Sequence, residues 1–163
     1  METQHIPIQD LSVDPANARS HNSRNIEAIK SSLVKFGQQK PIVVNAKNEV
    51  IAGNGTLTAA RDLGWEKLTV VYSDLSGSES MAYAIADNRT SELAVWDQEA
   101  LAEQLSILQC DDSINEIVTG FTTKEIDDFI NFTLPGVGVK ELKENSFSVF
   151  EHICPKCGFE YDE

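Results

Sequence analysis

The segment Val50-Ile-Ala-Gly-Asn-Gly-Thr-Leu-Thr-Ala-Ala-Arg-Asp-Leu-Gly-Trp65 runs a short apolar strand through Gly53-Asn54-Gly55 directly into a helix. This junction constrains the fold more than any other feature, because it fixes a strand and a helix in immediate succession. It also has a chemistry. The first N–H groups of a helix lack partners and face outward with the positive end of the macrodipole, so the end of the helix favours an anion. Two glycines let the backbone approach a phosphate with no Cβ in the way. The same residues also serve as a tight strand-to-helix turn with no ligand at all.

The rest of the chain frames that junction. His5-Ile-Pro-Ile-Gln-Asp-Leu11 reads as an edge strand, because Pro7 cannot donate to a central ladder. Asp14-Pro-Ala-Asn-Ala-Arg19 is rich in turn formers, and Ile26, Ile29, Leu33 and Phe36 then trace one helical face that stops at Gly37. Residues 41–44 and 50–52 are β-like runs that predict a hairpin; a helix follows from about Thr56 to Leu63, then a strand over 68–72. Ser76-x-x-Glu79 predicts a capping box opening a helix that carries Met81, Ala84 and Ile85 and ends at Asp87-Asn88-Arg89. Asp97 and Thr122-x-x-Glu125 predict the starts of two further helices. The expected fold class is α+β, a small mixed sheet with packed helices over 1–94. An acidic helical extension over 95–133 and a linker with a cysteine tail over 134–163 follow.

Charge divides the same way. Residues 1–94 hold 9 Lys+Arg against 11 Asp+Glu, and residues 95–163 hold 4 against 15. Duplex DNA is gripped through its phosphates, so the acidic half makes no general DNA surface. Nucleic-acid contacts are expected around Arg19, Arg24, Lys30, Lys35, Lys40 and Arg61. The acidic half is a solvated surface or a docking face for a basic protein. No apolar run is long enough to cross a bilayer and Met1-Glu2-Thr3-Gln4-His5 has no leader character, so the cytoplasm is the expected compartment.

In order, these segments resemble the ParB/sulfiredoxin-like family. The resemblance spans roughly residues 5–110 and is carried by residues 14–19, the helix from Ile26 to Phe36, Gly37-Gln-Gln-Lys-Pro-Ile-Val-Val44, Ile51-Ala-Gly-Asn-Gly-Thr-Leu-Thr-Ala-Ala60 and Ala86-Asp-Asn-Arg89. Residues 86–97 with Gly120-Phe121 and Glu125-Ile126 look more narrowly like ParB-like modules that accompany phage and prophage DNA methyltransferases. That likeness implies a bacterial host cytoplasm, a methyltransferase partner and a role as an accessory or regulator in DNA modification or DNA transactions. It further implies a nucleotide, CTP or ATP, or a DNA phosphate held by the backbone of Gly53, Asn54 and Gly55 and the Thr56 hydroxyl. Gln39 and Lys40 would close the pocket, with Asn88 and Arg89 adjoining, and Asp87 and Asn88 would offer oxygen ligands to Mg²⁺.

The chain also departs from its relatives. Partitioning members carry Gly-Glu-Arg-Arg where this chain has Gly53-Asn54-Gly55-Thr56, so two phosphate-pairing arginines are absent. Sulfiredoxins place a reactive cysteine in this loop, and no Cys precedes Cys110. The chain has no Asp/Asn-Pro-Pro-Tyr motif and is not itself a methyltransferase. A Mg²⁺-dependent nuclease or a nucleotide-hydrolysing or phosphotransfer enzyme on the same scaffold is the alternative function. Asp87 is its candidate catalytic carboxylate, and Glu49 is the other carboxylate near enough to act as a base. Interaction through the acidic helices is a third reading.

His152-Ile-Cys154-Pro-Lys-Cys157-Gly has the spacing of a zinc knuckle but supplies half a site. Structural zinc takes four ligands, so His152 would be a third and Cys110, a carboxylate or a second chain in a homodimer the fourth. The alternatives are a tail without metal and, for Cys110, a small buried residue on a Leu-rich helix.

Overall fold

The computed structural model describes residues 2–111, 114, 116–133, 152–153 and 160–161. Its centre is a five-stranded mixed sheet in the order β1 (Thr3–Pro7), β5 (Lys67–Tyr72), β3 (Ile42–Val44), β4 (Glu49–Ala52), β2 (Ser12–Val13). β1 runs antiparallel to β5 and β3 antiparallel to β4, whereas β3–β5 and β4–β2 are parallel. Pro7 closes β1 on the sheet edge, where its missing donor costs no ladder bond. The hairpin strands β3 and β4 form as the apolar runs predict, with a register shift between Val43 and Val44.

Alternation sets the inner face. Ile42 and Val44 are buried around a half-buried Val43, and Leu68 and Val70 flank Thr69 in the same manner. Helices α1 (Ser23–Phe36) and α2 (Asn54–Asp62) pack on each other and bring Leu33, Leu57, Ala59 and Ala60 to this core. Asn22 caps α1 by accepting from the Asn25 N–H at 2.8 Å, and Gly37 ends it at φ 69°. Gln38 completes the sheet where β3 has not yet begun. Its Oε1 accepts from Thr69 N–H at 2.7 Å and its Nε2 donates to Thr69 C=O at 2.8 Å, so one side-chain amide replaces a strand residue beside β5.

Helix α3 (Ser78–Leu93) lies along β4 yet buries none of its side chains. Two expectations fail here. The Ser76 hydroxyl does not cap the helix; Gly77, at φ 54°, turns the chain so that the Ser76 carbonyl receives the Glu79 N–H at 3.2 Å instead. The helix also continues past Arg89 to Leu93, which makes Asp87-Asn88-Arg89 a mid-helix segment, because nothing from Thr90 to Leu93 breaks it. Strand β2 is a third difference: its two residues carry no pattern of their own, and the Ser12 N–H bond to Asn48 C=O at 3.0 Å draws them beside β4.

Helices α4 (Gln98–Gln109) and α5 (Thr123–Thr133) form a second small core of Leu101, Leu105, Ile126 and Ile130. Asp97 caps α4 by accepting from Ala100 N–H at 3.1 Å. Cys110 is the C-cap of α4 and is exposed, contrary to the buried reading, because it stands beyond the helix's buried face. The capping box at Thr122 and Glu125 is complete, with the Glu125 carboxylate accepting from Thr122 N–H at 2.8 Å and Thr122 Oγ1 accepting from Glu125 N–H at 3.2 Å. Arg24 on α1 donates to the same carboxylate and so ties this subdomain to the first. Cys154 and Cys157 lie outside the described residues, and His152 is placed only as backbone in β6 (His152–Ile153), which pairs with β7 (Glu160–Tyr161). No helix among the described residues is long and apolar enough to cross a membrane.

The Arg24 guanidinium, with the Thr122 donors, lowers the Glu125 carboxyl from 4.5 to about 2. A carboxyl lowered in the folded state stabilises fully above its unfolded value, and that contribution disappears as pH falls toward the folded one. The urea midpoint is therefore expected to fall between pH 4.5 and pH 2. Arg24→Ala should flatten that slope, and equal slopes in the two proteins would remove this bond from the account. A second prediction concerns Gly53, which sits at φ 105° with the site of a Cβ 2.4 Å from Ile42 Cγ2. Gly53→Ala combines backbone strain with overpacking and should lose about 2–4 kcal/mol in urea unfolding.

Candidate phosphate-binding cleft

The strand-to-helix junction forms as the sequence predicts, with α2 beginning at Asn54. The reason for each glycine is nevertheless internal. Gly53 adopts a left-handed backbone and leaves no room for a side chain against Ile42. A Cβ on Gly55 would stand 2.8 Å from His21 Cε1 and 2.9 Å from Ile29 Cδ1. The space freed at Gly55 is thus occupied by the chain's own imidazole and a methyl group.

Asn54 is the buried polar residue between them. Its Nδ2 donates to Val50 C=O at 3.3 Å and its Oδ1 accepts from Asp14 N–H at 3.3 Å, which holds the 14–19 loop over the end of β4. Asp14 Oδ1 accepts from Ala16 N–H and Asn17 Oδ1 from Arg19 N–H, so the loop is a pair of side-chain-supported turns.

These segments enclose a cleft of about 160 Å³ lined by Asn17, Arg19, His21, residues 51–56, Asp87 and Asn88, with Ile29 in its wall. A larger cleft of about 550 Å³ shares Asn17, Arg19, Ile51 and Asn88 with it and extends between the 14–19 loop, β4 and α3. The second cleft has a largely apolar wall of Val50, Ile51, Met81, Ala84 and Ile85, with Asn45, Glu49, Arg89 and Glu92 on its rim.

The predicted residues separate into two groups. Gly53, Asn54, Gly55, Thr56, Asp87 and Asn88 converge on the smaller cleft. Arg89 lines the larger one, and its guanidinium lies 3.2 Å from Glu92. Lys40 reaches Asp87 Oδ1 at 3.9 Å from the rim. Gln39 lines neither cleft; its amide turns back onto the Phe36 carbonyl. Glu49 and Asp87 do not meet, since Glu49 stands in the larger cleft with Asn45 Nδ2 donating to its Oε2 at 2.6 Å. Other expected nucleic-acid cations have internal partners: Arg24 holds Glu125, Lys30 holds Glu27 and Arg61 donates to Leu11 C=O at 2.6 Å.

The donors suit Mg²⁺ in one arrangement only. Asn88 Nδ2 donates to Ala84 C=O at 2.8 Å, which leaves Oδ1 as its acceptor for a cation, and one carboxylate, Asp87, lines the same cleft. One carboxylate and one amide hold Mg²⁺ when phosphate oxygens and waters complete the octahedron. Among the described residues no three His, Cys, Asp or Glu side chains cluster as a metal site. Sequence reasoning missed His21. It precedes α1, so no helical spacing marks it in the sequence, and its Nδ1 lies 2.6 Å from Asn25 Oδ1.

With this geometry in view, the comparisons with known proteins are decisive for the family. The profile of the ParB N-terminal domain matches residues 1–89. The chain belongs to the ParB N-terminal domain family. It is 34% identical over 65 residues to the ParB-like nuclease domain-containing protein YnaK of Escherichia coli K12, covering 40% of this chain and 75% of that protein. It is 32% identical over 108 residues to the nucleoid occlusion protein of Bacillus cereus AH187, covering 63% of this chain. The match spans only 37% of that relative's length. Among solved structures, C-terminally truncated ParB of Caulobacter crescentus, complexed with CTP-γ-S, superposes with a TM-score of 0.69 at 18% identity. The superposition covers 83% of this chain and 81% of that one, and it establishes a common fold.

Asn54 is the test of how the cleft is held. Asn54→Ala leaves Asp14 N–H and Val50 C=O without their partner and should cost about 1–3 kcal/mol in urea unfolding. Hydrogen exchange should accelerate across residues 14–19 in the same variant. Unchanged exchange there would show that the loop is held by other contacts.

Proposed function

We propose that this chain binds a nucleoside triphosphate with Mg²⁺ in the cleft at residues 53–56 and acts as a nucleotide-responsive regulator of DNA transactions. The observation that carries this reading is the convergence of an α2 N-terminus, Asp87 and Asn88 on one small cleft that opens into a larger apolar one. The small cleft suits phosphates, whose charge the helix N-terminus favours, and the larger has the size and wall of a nucleoside site. Asp87 and Asn88 would hold Mg²⁺ against the phosphates, and the ion would neutralise their charge. Membership of the ParB N-terminal family and the CTP-γ-S bound by a protein of the same fold support the assignment.

The biological setting we assign is a phage or mobile element, with a DNA methyltransferase as partner, on the resemblance of residues 86–97 to such modules. The cation balance supports a nucleotide over duplex DNA as the direct ligand of the cleft. Several of the first half's cations are paired within the chain, which leaves few for the row of phosphate contacts that duplex binding needs.

Thermal unfolding with CTP, ATP, GTP and UTP, each with and without Mg²⁺, tests the proposal. Saturation at a hundredfold over Kd is worth about 2.7 kcal/mol, a rise of roughly 5–10 °C for a chain of this size. At least one nucleotide should give a Mg²⁺-dependent rise, and Asp87→Ala should remove the Mg²⁺ dependence. A flat response to all four would sink the proposal. Nucleotide or DNA turnover lost in Asp87→Ala would replace the binding module with an enzyme.

A further inference from the structure

We propose that His21 is a phosphate ligand of the small cleft, donating from Nε2 as an imidazolium, so that anion binding takes up a proton. The inference rests on the nucleotide reading above and adds a residue and a pH response to it. Three observations lead there. The imidazole sits against the first turn of α2, with the position of a Gly55 Cβ only 2.8 Å from Cε1 and 3.0 Å from Nδ1. His21 lines the same cleft as residues 53–56. Its Nδ1 lies 2.6 Å from Asn25 Oδ1, and an amide oxygen only accepts, so Nδ1 carries the proton and Nε2 is left as the ring's second site.

The surroundings decide how that second nitrogen behaves. On the loop, Arg19 is the facing charge, with Glu92 accepting from its guanidinium at 2.7 Å; Asp14 is the loop's carboxylate. On α1, Arg24 is engaged by Glu125, and Asn25 is neutral. The first turn of α2, Asn-Gly-Thr-Leu, has no ionisable group but contributes the positive end of a helix. On α3, Asp87 faces the cleft with Lys40 at 3.9 Å and Asn88 beside it. A bound phosphate would bring the negative charge with which an imidazolium at this position pairs. A histidine is the cation that changes state within this range of pH. It would restore, on demand, part of the positive charge that Gly55 and Thr56 lack as side chains.

Calorimetry of CTP–Mg²⁺ and ATP–Mg²⁺ binding between pH 8 and pH 6, in two buffers of different ionisation enthalpy, tests this in the full chain. Affinity should rise as pH falls, by at most about tenfold per pH unit for one linked proton, with net proton uptake on binding. His21→Gln keeps a polar side chain that cannot take up a proton; it should bind more weakly than wild type, most of all at pH 6, and lose the excess rise and the excess proton uptake. The remaining slope is that of the ligand's own terminal phosphate. Equal slopes and equal proton uptake in the two proteins would overturn the role of His21 while leaving the nucleotide site intact. Absence of binding at every pH would overturn both proposals. Should His21→Gln fail to fold, the wild-type imidazole signal of His21 in carbon-13 NMR gives the same answer. Nucleotide–Mg²⁺ at pH 7 should move it toward the imidazolium position, and a signal unmoved by the nucleotide would refute the proposal.

Discussion

The buried side chain of Asn54 is the contact on which the arrangement of the cleft depends. It joins two segments forty residues apart, because one amide bonds both the Val50 carbonyl and the Asp14 amide. A buried polar group left without partners costs more than the bond it forms contributes, so the loop and the strand end are obliged to stay together. The 14–19 loop brings Asn17, Arg19 and, through its continuation, His21 to the helix start. Without this amide the glycine junction would be a turn facing solvent.

Crowding reinforces what the amide begins. Ile42 fills the space a side chain on Gly53 would need, while His21 and Ile29 fill the space beside Gly55. Both glycines therefore satisfy the fold before any ligand is considered. The consequence is a firm cradle floor with walls of differing firmness, since α3 contributes Asp87 and Asn88 without burying a side chain of its own. Beyond its packing along β4, it is tied to other elements by surface ion pairs, Arg19 with Glu92 and Lys40 with Asp87. Such pairs are worth about 0–1 kcal/mol each, far less than the core contacts that hold α2.

Much of this architecture is legible in the sequence where a local rule has no competitor. The β-like runs at 41–44 and 68–72, the stop at Gly37, the cap at Asp97 and the capping box at Thr122 each follow from a pattern within a few residues, and each forms. The failures are at positions where a distant or neighbouring group overrides the local signal. Ser76 loses its cap to the left-handed Gly77 next to it, and β2 exists because Asn48 offers a carbonyl from another part of the chain. Helix α3 extends past the expected end at Arg89, because the polar run from Asp87 to Glu92 resembles a terminus while its residues line the clefts from mid-helix.

The candidate site divides by the same logic. Residues 53–56, marked by a strand-to-helix turn, and Asp87-Asn88, marked by the family resemblance, line one cleft. Gln39 was misplaced because the three residues Gln38, Gln39 and Lys40 look interchangeable until packing selects among them. Gln38 takes the sheet position beside Thr69, and that bond turns Gln39 back toward Phe36. His21 was missed for the opposite reason. An isolated histidine before a helix has no signature of its own, and its position depends on a glycine thirty-four residues later that leaves room for the ring. The position of the imidazole at the cleft is thus decided by a packing relation. A larger residue at 55 would displace the ring from the first turn of α2.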